Sequence, residues 1–117
     1  MSDITINILD PNFERAIRRR LRRSVGAIYQ SELKRIKELD VSYLDIKSLQ
    51  GLEHFTNLEI LYCEYNHLTS LDISKNVYLR ILWCSNNQLT SLDISNNVDL
   101  ATLDCDRCVK LIKKDGE

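Results

Sequence analysis

The sequence predicts an α/β architecture: a solenoid of repeating coils with short parallel strands on its concave face, closed at the N-terminus by an α-helical cap. Three observations predict it. Leu58, Leu79 and Leu100 stand 21 residues apart, and the same shift aligns Leu61 with Leu82 and Leu103, Cys63 with Cys84 and Cys105, Asn66 with Asn87, and residues 71–74 with 92–95. A coil of that length cannot bury its own apolar face, so successive coils must stack and share one core. Within each phrase Leu61-x-Cys63 and its equivalents alternate at strand spacing. Ahead of the repeats, Phe13, Ala16, Ile17 and Leu21 recur at helical spacing.

Taken in order, the alternating Ile4, Ile6 and Ile8 predict a strand over residues 4–8. Asp10-Pro11 has the form of a helix start, with Asp10 as N-cap and Pro11 at the first helical position. Gly26 is the expected stop. A second short helix, about residues 30–34, presents Leu33 and Ile36 inward. The chain then divides into a cap (1–35), the repeats (36–108) and a C-terminal edge with a polar tail (109–117). The first coil, 36–57, is one residue longer than those that follow, with Ile36, Leu39, Val41, Ile46, Leu49, Leu52 and Phe55 directed inward. The second half of the phrase, Leu68-x-x-Leu71-x-Ile73, alternates again and predicts a second, shorter strand or extended segment on the opposite face. At the far end the phrase decays. Cys108 replaces Asn, and Val109, Leu111 and Ile112 are placed to form a last strand without a proper C-terminal cap.

The phrase L-x-x-L-x-C-x-x-N-x-L-x-x-L-D-I-S resembles the leucine-rich repeat, and its L-D-I-S segment resembles the bacterial variants of that repeat. The opening, I-x-I-x-D-P-N-F-x-x-A-I-x-x-x-L followed by S-E-L-x-x-I-x-x-L-D-V-S, is similar to the helical cap of internalin-like proteins. The resemblance implies that Asn66 and Asn87 point inward and satisfy the backbone of the turn. Leu44 stands where the first coil should carry that Asn, so its turn should be built differently. Tyr29 stands where relatives are expected to carry a Thr cap.

At 117 residues, 44% hydrophobic and 28% charged, the chain has the balance of one soluble domain, with no apolar run long enough to span a membrane. The opening shows no basic leader or cleavage site, so no signal peptide is expected. Cys63, Cys84 and Cys105 fall in one inward column and read as small buried apolar side chains. An unbridged column points to a reducing compartment, the cytoplasm of the producing cell or of a target cell. Cys105-x-x-Cys108 has the spacing of a metal-ligand pair, but no second pair completes a site, so no metal is expected. No cofactor is expected either, since the chain has three Gly and no phosphate-binding loop. His54 and His67 are the only histidines, and an inward Cys63 cannot meet an outward His67, so no catalytic pair is expected. Asp72 and Asp93, at one repeat position, read as a solvated edge or a turn brace.

What remains is surface. The outward strand positions form rows across the coils: Glu38, Ile60, Ile81, Thr102; Asp40, Tyr62, Trp83, Asp104; Ser42, Glu64, Ser85, Asp106; and Tyr43, Tyr65, Asn86, Arg107. An aromatic centre within an acidic rim has the composition of a protein interface. The candidate partner site is therefore Ile60, Tyr62, Glu64, Tyr65, Ile81, Trp83, Asp104, Asp106 and Arg107. The expected partner is a protein with basic residues at the edge of its contact. The competing surface is the cap helix, whose Arg15, Arg18, Arg19, Arg20, Arg22 and Arg23 could meet nucleic acid or another acidic surface. Its plain reading is a solvated helix face, and no aromatic residues interleave with the arginines for base stacking. The expected function is a non-catalytic binding module, most simply an inhibitor, immunity or counter-defence factor. The alternatives are a nucleic-acid or acidic-surface binder led by the Arg helix, and an adaptor or homodimer joined through the C-terminal edge.

Overall fold

In the computed structural model, which describes residues 3–114, the cap begins as its residues dictate. Helix α1 spans Pro11–Leu21, and one oxygen of the Asp10 carboxylate accepts from the backbone N–H groups of Asn12 (2.9 Å) and Phe13 (3.0 Å). The other oxygen accepts from the N–H groups of Lys47 (2.8 Å) and Ser48 (3.1 Å), so one side chain both starts the helix and ties it to the first coil. Burial pushes the Asp10 carboxyl up, but the donors of Lys47, Phe13, Ser48 and Asn12 outweigh it and hold the group below its ordinary value. Phe13, Ala16 and Ile17 are buried, and Phe13 stacks on Phe55 with ring centroids 6.1 Å apart.

Two expectations for the cap need correction. The helix stops before Gly26: Arg22 takes the left-handed conformation (φ 56°), and Arg22 and Arg23 donate back to the carbonyls of Arg19 and Arg18. Arg23 is clamped by Glu32 and by the Ala27 carbonyl, which holds the chain in that turn, and Gly26 (φ 94°) only bends the segment that follows. The N-terminal strand is also shorter than 4–8. Strand β1 is Thr5–Ile6, paired antiparallel with β2, Ile28–Tyr29, which has only two residues to offer and too little alternation to be legible in advance. Helix α2, Gln30–Leu33, then buries Leu33, with Ile36 buried just beyond it. Tyr29 makes no side-chain cap; the Glu32 carboxylate accepts from the Tyr29 N–H instead (2.9 Å).

Four parallel strands make the concave sheet: β3 (Glu38–Asp40), β4 (Ile60–Tyr62), β5 (Ile81–Trp83) and β7 (Thr102–Asp104), in that order. Leu39, Leu61, Leu82 and Leu103 lie in register, so the four outward rows are real neighbours. The extra residue of the first coil lies between Leu49 and Phe55, where residues 52–54 form a single 3-10 turn entered through Gly51 at φ 109°. On the opposite face, β6 (Ser91–Asp93) pairs in parallel with β8 (Lys110–Ile112), which is the expected last strand. The equivalent segment of the second coil, 71–73, buries Leu71 and Ile73 but makes no strand. Residues 115–117 of the expected polar tail lie outside the described residues.

The turns of the first three coils are each completed by the coil that follows. Asn66 is buried; its Oδ1 accepts from the N–H groups of Leu44 (3.1 Å) and Ile46 (3.0 Å) in the first coil, and its amide donates to the Val41 carbonyl (2.9 Å). The first coil thus manages without its own Asn at position 44. Asn87 does the same for Leu68 and the Cys63 carbonyl. A second asparagine ladder escaped the sequence reading: the Asn76 amide donates to the carbonyls of Leu52 and Phe55, and the Asn97 amide to those of Ile73 and Asn76. Asp40 on the concave sheet and Asp72 and Asp93 on the opposite face each accept from the backbone N–H and the hydroxyl of the Ser two residues on, so the Asp72 and Asp93 pair braces its turns. Hydrogen bonds from Ser74 and Ser95 hold the Asp72 and Asp93 carboxyls below their ordinary range.

Candidate binding surface

The parallel register carries the outward side chains into contact. Tyr62 and Trp83 are directly opposed on β4 and β5, their rings 4.6 Å apart and tilted by 51°. Trp83 remains 38% exposed, so the largest side chain of the sheet is not used to cover the core. Ile60 and Ile81, half-buried, lie beside this pair on the same face. Tyr65 is stacked on Tyr43 at 4.4 Å, nearly parallel at 11°. Tyr43 and Tyr65 both sit at positive φ (59° and 57°), a conformation that turns the chain away from the strands while leaving the rings outside. Tyr43 was absent from the expected site. It stood in the same row as Tyr65, and the stacking of the two rings brings it to the site.

The acidic rim is less uniform than the rows implied. Asp106 accepts from the N–H groups of Asn86 (2.9 Å) and Asn87 (3.4 Å), so it braces the third coil's turn and is a structural residue first. Asp40 is engaged with Ser42. Glu64 and Asp104 keep their carboxylates free of hydrogen bonds among the described residues. Burial first, and then the neighbouring Asp104 and Asp40 charges, push the Glu64 carboxyl above its ordinary value. Arg107 is exposed at the end of its row.

The arginine helix is likewise sorted. Arg18 pairs with Glu14 (2.9 Å) and donates to the Gly26 carbonyl, and Arg23 pairs with Glu32, whose carboxyl it holds down at about 2. Arg15, Arg19, Arg20 and Arg22 are exposed and make no ion pair among the described residues. A shallow groove of about 710 Å³ lies between Arg15, Arg18, Arg19, Arg22 and Arg23. A second, of about 370 Å³, is lined by Arg19, Arg20 and Arg22 on one side and by Asp40 and Leu44 on the other. The exposed arginines of α1 thus reach the cap-side edge of the sheet at Asp40.

Cys63 and Cys84 are buried in the inward column, Cys105 is half-buried and Cys108 is exposed, all as free thiols. Burial pushes the Cys84 thiol up to about 12. His67 lies outside, 3.1 Å from Asp45, on the other side of the backbone from the Cys63 thiol. Among the described residues no cluster of three or more His, Cys, Asp or Glu is placed to share a metal ion, and no helix is long and apolar enough to cross a membrane.

Neither a protein-family model nor a curated protein matches the sequence. Solved structures do. The functional domain of InlJ from Listeria monocytogenes, which includes a cysteine ladder, superposes with a TM-score of 0.85 at 31% identity over 98% of this chain. This chain has the internalin-type leucine-rich repeat fold. Internalin C2 from the same organism agrees over 89% of the chain at a TM-score of 0.70 and 18% identity, a likeness of fold alone. The structure containing the CBM51-2 and INT domains of Clostridium perfringens ZmpB agrees over 78% at a TM-score of 0.66 and 28% identity. The chain spans 26% of the InlJ chain, 57% of the internalin C2 chain and 20% of the ZmpB chain. Leucine-rich repeat domains of this kind are generally non-catalytic and typically bind proteins.

Proposed function

We propose that this leucine-rich repeat chain is a non-catalytic binding module that occupies a protein partner through its concave face, most simply as an inhibitor, immunity or counter-defence factor. One observation carries the reading: the tilted Tyr62–Trp83 pair, with Trp83 exposed and Tyr62 half-buried, stands at the centre of the parallel sheet, beside half-buried Ile60 and Ile81 and near the carboxylates of Glu64 and Asp104, which make no hydrogen bond among the described residues. Aromatic side chains of this size supply rigid contact area at small entropic cost and dominate interface energetics, while a charged rim sets partner choice. The partner is then a protein with Lys or Arg where Glu64 and Asp104 lie. A reducing, cytosolic setting suits the four free thiols.

The test is capture from nuclease-treated host lysate washed at high salt, comparing wild type with the Trp83→Ala, Tyr62→Ala double variant by mass spectrometry. Retention of one protein by wild type alone supports the reading. Trp83→Ala by itself should leave the melting temperature within a degree or two and weaken that complex by about 2 kcal/mol or more; equal affinity for both baits would remove the concave-face site. A second reading, contact with nucleic acid through the arginine helix, is favoured by the groove between its exposed arginines. It predicts capture that disappears with nuclease or salt, equally from both baits.

A further inference from the structure

The groove of about 710 Å³ along α1 is walled by arginines. Arg18, Arg19 and Arg22 stand three, four and seven residues after Arg15, which puts all four on one side of the helix, and Arg23 and Ser24 line the groove beyond the helix end. Like charges at this spacing repel one another and cost helix stability. The helix dipole favours cations in the last turn, where Arg18, Arg19 and Arg20 stand, but not at Arg15. Glu14 is the one acid that lines the groove, and Arg18 already takes its carboxylate at 2.9 Å. Arg23 is taken up by Glu32, which does not line it. Arg15, Arg19 and Arg22 are exposed and make no ion pair among the described residues, so their charges converge on the groove uncompensated.

Arg18 itself is incompletely satisfied. Its Nε donates to Glu14 and its Nη2 to the Gly26 carbonyl, both at 2.9 Å, whereas Nη1 is shielded from solvent and has no acceptor among the described residues. A charged donor shut away from water without an acceptor costs more than a neutral one, and such groups are rare in folded proteins. The acceptor that suits it is an anionic oxygen. Arg19 and Arg22, whose side chains make no hydrogen bond among the described residues, are free to turn toward the same anion. We propose that this groove binds a small phosphorylated molecule, with one phosphate oxygen on Arg18 Nη1 and others on the guanidinium forks of Arg15, Arg19 and Arg22. Such forks match phosphate oxygens two at a time, and a cleft of this volume has room for a ligand of nucleotide size. Two observations favour a small ligand over a nucleic-acid strand. No aromatic side chain lines the groove, so bases have nothing to stack on. From Arg15 to Arg22 the helix rises only about 10 Å, a compact cluster and not a track for a backbone. The site is independent of the concave face, and it gives the arginine surface a small ligand in place of nucleic acid.

The experiment is isothermal titration calorimetry of the full chain with inorganic pyrophosphate at fixed ionic strength. Arg19→Gln with Arg22→Gln removes two charges from the groove, and Arg20→Gln with Arg107→Gln removes two from outside it. None of these four side chains makes a hydrogen bond among the described residues, and circular dichroism checks that each variant is folded. Wild type should bind pyrophosphate saturably. The groove variant should bind about tenfold or more weakly, and the outside variant within about twofold of wild type. Arg18→Lys keeps the charge but loses Nη1, and it should weaken binding as well. Absence of saturable binding overturns the proposal, as does equal affinity in Arg18→Lys or an equal loss in both double variants, which is the response of a diffuse field. A short single-stranded RNA is the competing occupant: RNA that binds and is not displaced by excess pyrophosphate overturns the small ligand in favour of nucleic acid. Phosphatidylcholine vesicles carrying a few per cent phosphoinositide separate two sources of the phosphate. Co-sedimentation that pyrophosphate reverses and the groove variant loses assigns a lipid headgroup; pyrophosphate binding without co-sedimentation assigns a free phosphorylated molecule.

Discussion

Asn66 joins two coils, accepting from Leu44 and Ile46 and donating to Val41 in the first coil while donating to Cys63 and Glu64 in its own. Asn66→Ala should therefore destabilise by about 3 kcal/mol in urea unfolding, because each buried backbone group left without a partner costs on the order of 1–3 kcal/mol. Glu64 acts in the opposite sense. Its folded pKa is raised above the ordinary 4.5, first by burial and then by Asp104 and Asp40, so its charged form costs stability. That cost is full above the raised value and gone below pH 4.5. Glu64→Gln should raise the melting temperature at neutral pH, and the gain should vanish in acid. Cys108 should react with a thiol reagent in the native protein, whereas Cys63 and Cys84 should wait for unfolding, since both are buried with raised pKa values. At this scale the repeat made Asn66, Asn87 and the cysteine column legible, because each recurs with an equivalent. Asn76 and Asn97 recur at the same 21-residue interval, but the repeat phrase that marks Asn66 and Asn87 ends at the L-D-I-S segment just before them, so nothing in it assigns them an inward role. Asp106 was read as rim because the phrase decays there, and its brace depends on a contact with residues twenty positions earlier.

Among the elements, the cap helix hangs on Asp10. Its carboxyl titrates below the ordinary 3.8, so the stability it contributes is complete above that value and is lost as pH falls through the lower folded value. Asp10→Ala should cost about 2 kcal/mol at neutral pH, the upper range for an N-cap, and the difference from wild type should shrink in strong acid. Gly51 is the corresponding joint on the repeat side. Its φ is 109°, and a Cβ there would lie 2.5 Å from the Ile8 Cδ1, so Gly51→Ala should lower stability by about 1–3 kcal/mol by thermal melt. The start of the helix was legible because Asp-Pro is a local signal. Its end was not, because the stop at Arg22 is fixed by the Arg23–Glu32 clamp, a pairing across nine residues that no local pattern carries.

For the whole molecule, the period was sufficient to give the solenoid, since a repeat allows only one way of stacking its coils. The contact between cap helix and concave face was not legible, because it depends on where α1 docks, and a repeat says nothing of its cap. Burial falls toward the C-terminal end: Leu58 and Leu79 are fully buried and Leu100 only half, as are Leu61 and Leu82 against Leu103. Hydrogen exchange should therefore be slowest at Leu61 and Leu82 and fastest at Leu103 and along β8, in an order that runs down the solenoid. The bracing has a direction too. Asn66, Asn76, Asn87, Asn97 and Asp106 each reach back to the coil before their own. On a translating ribosome, where the N-terminal part emerges first, no coil can close until its successor has left the exit tunnel, so the nascent chain always trails one unfinished loop.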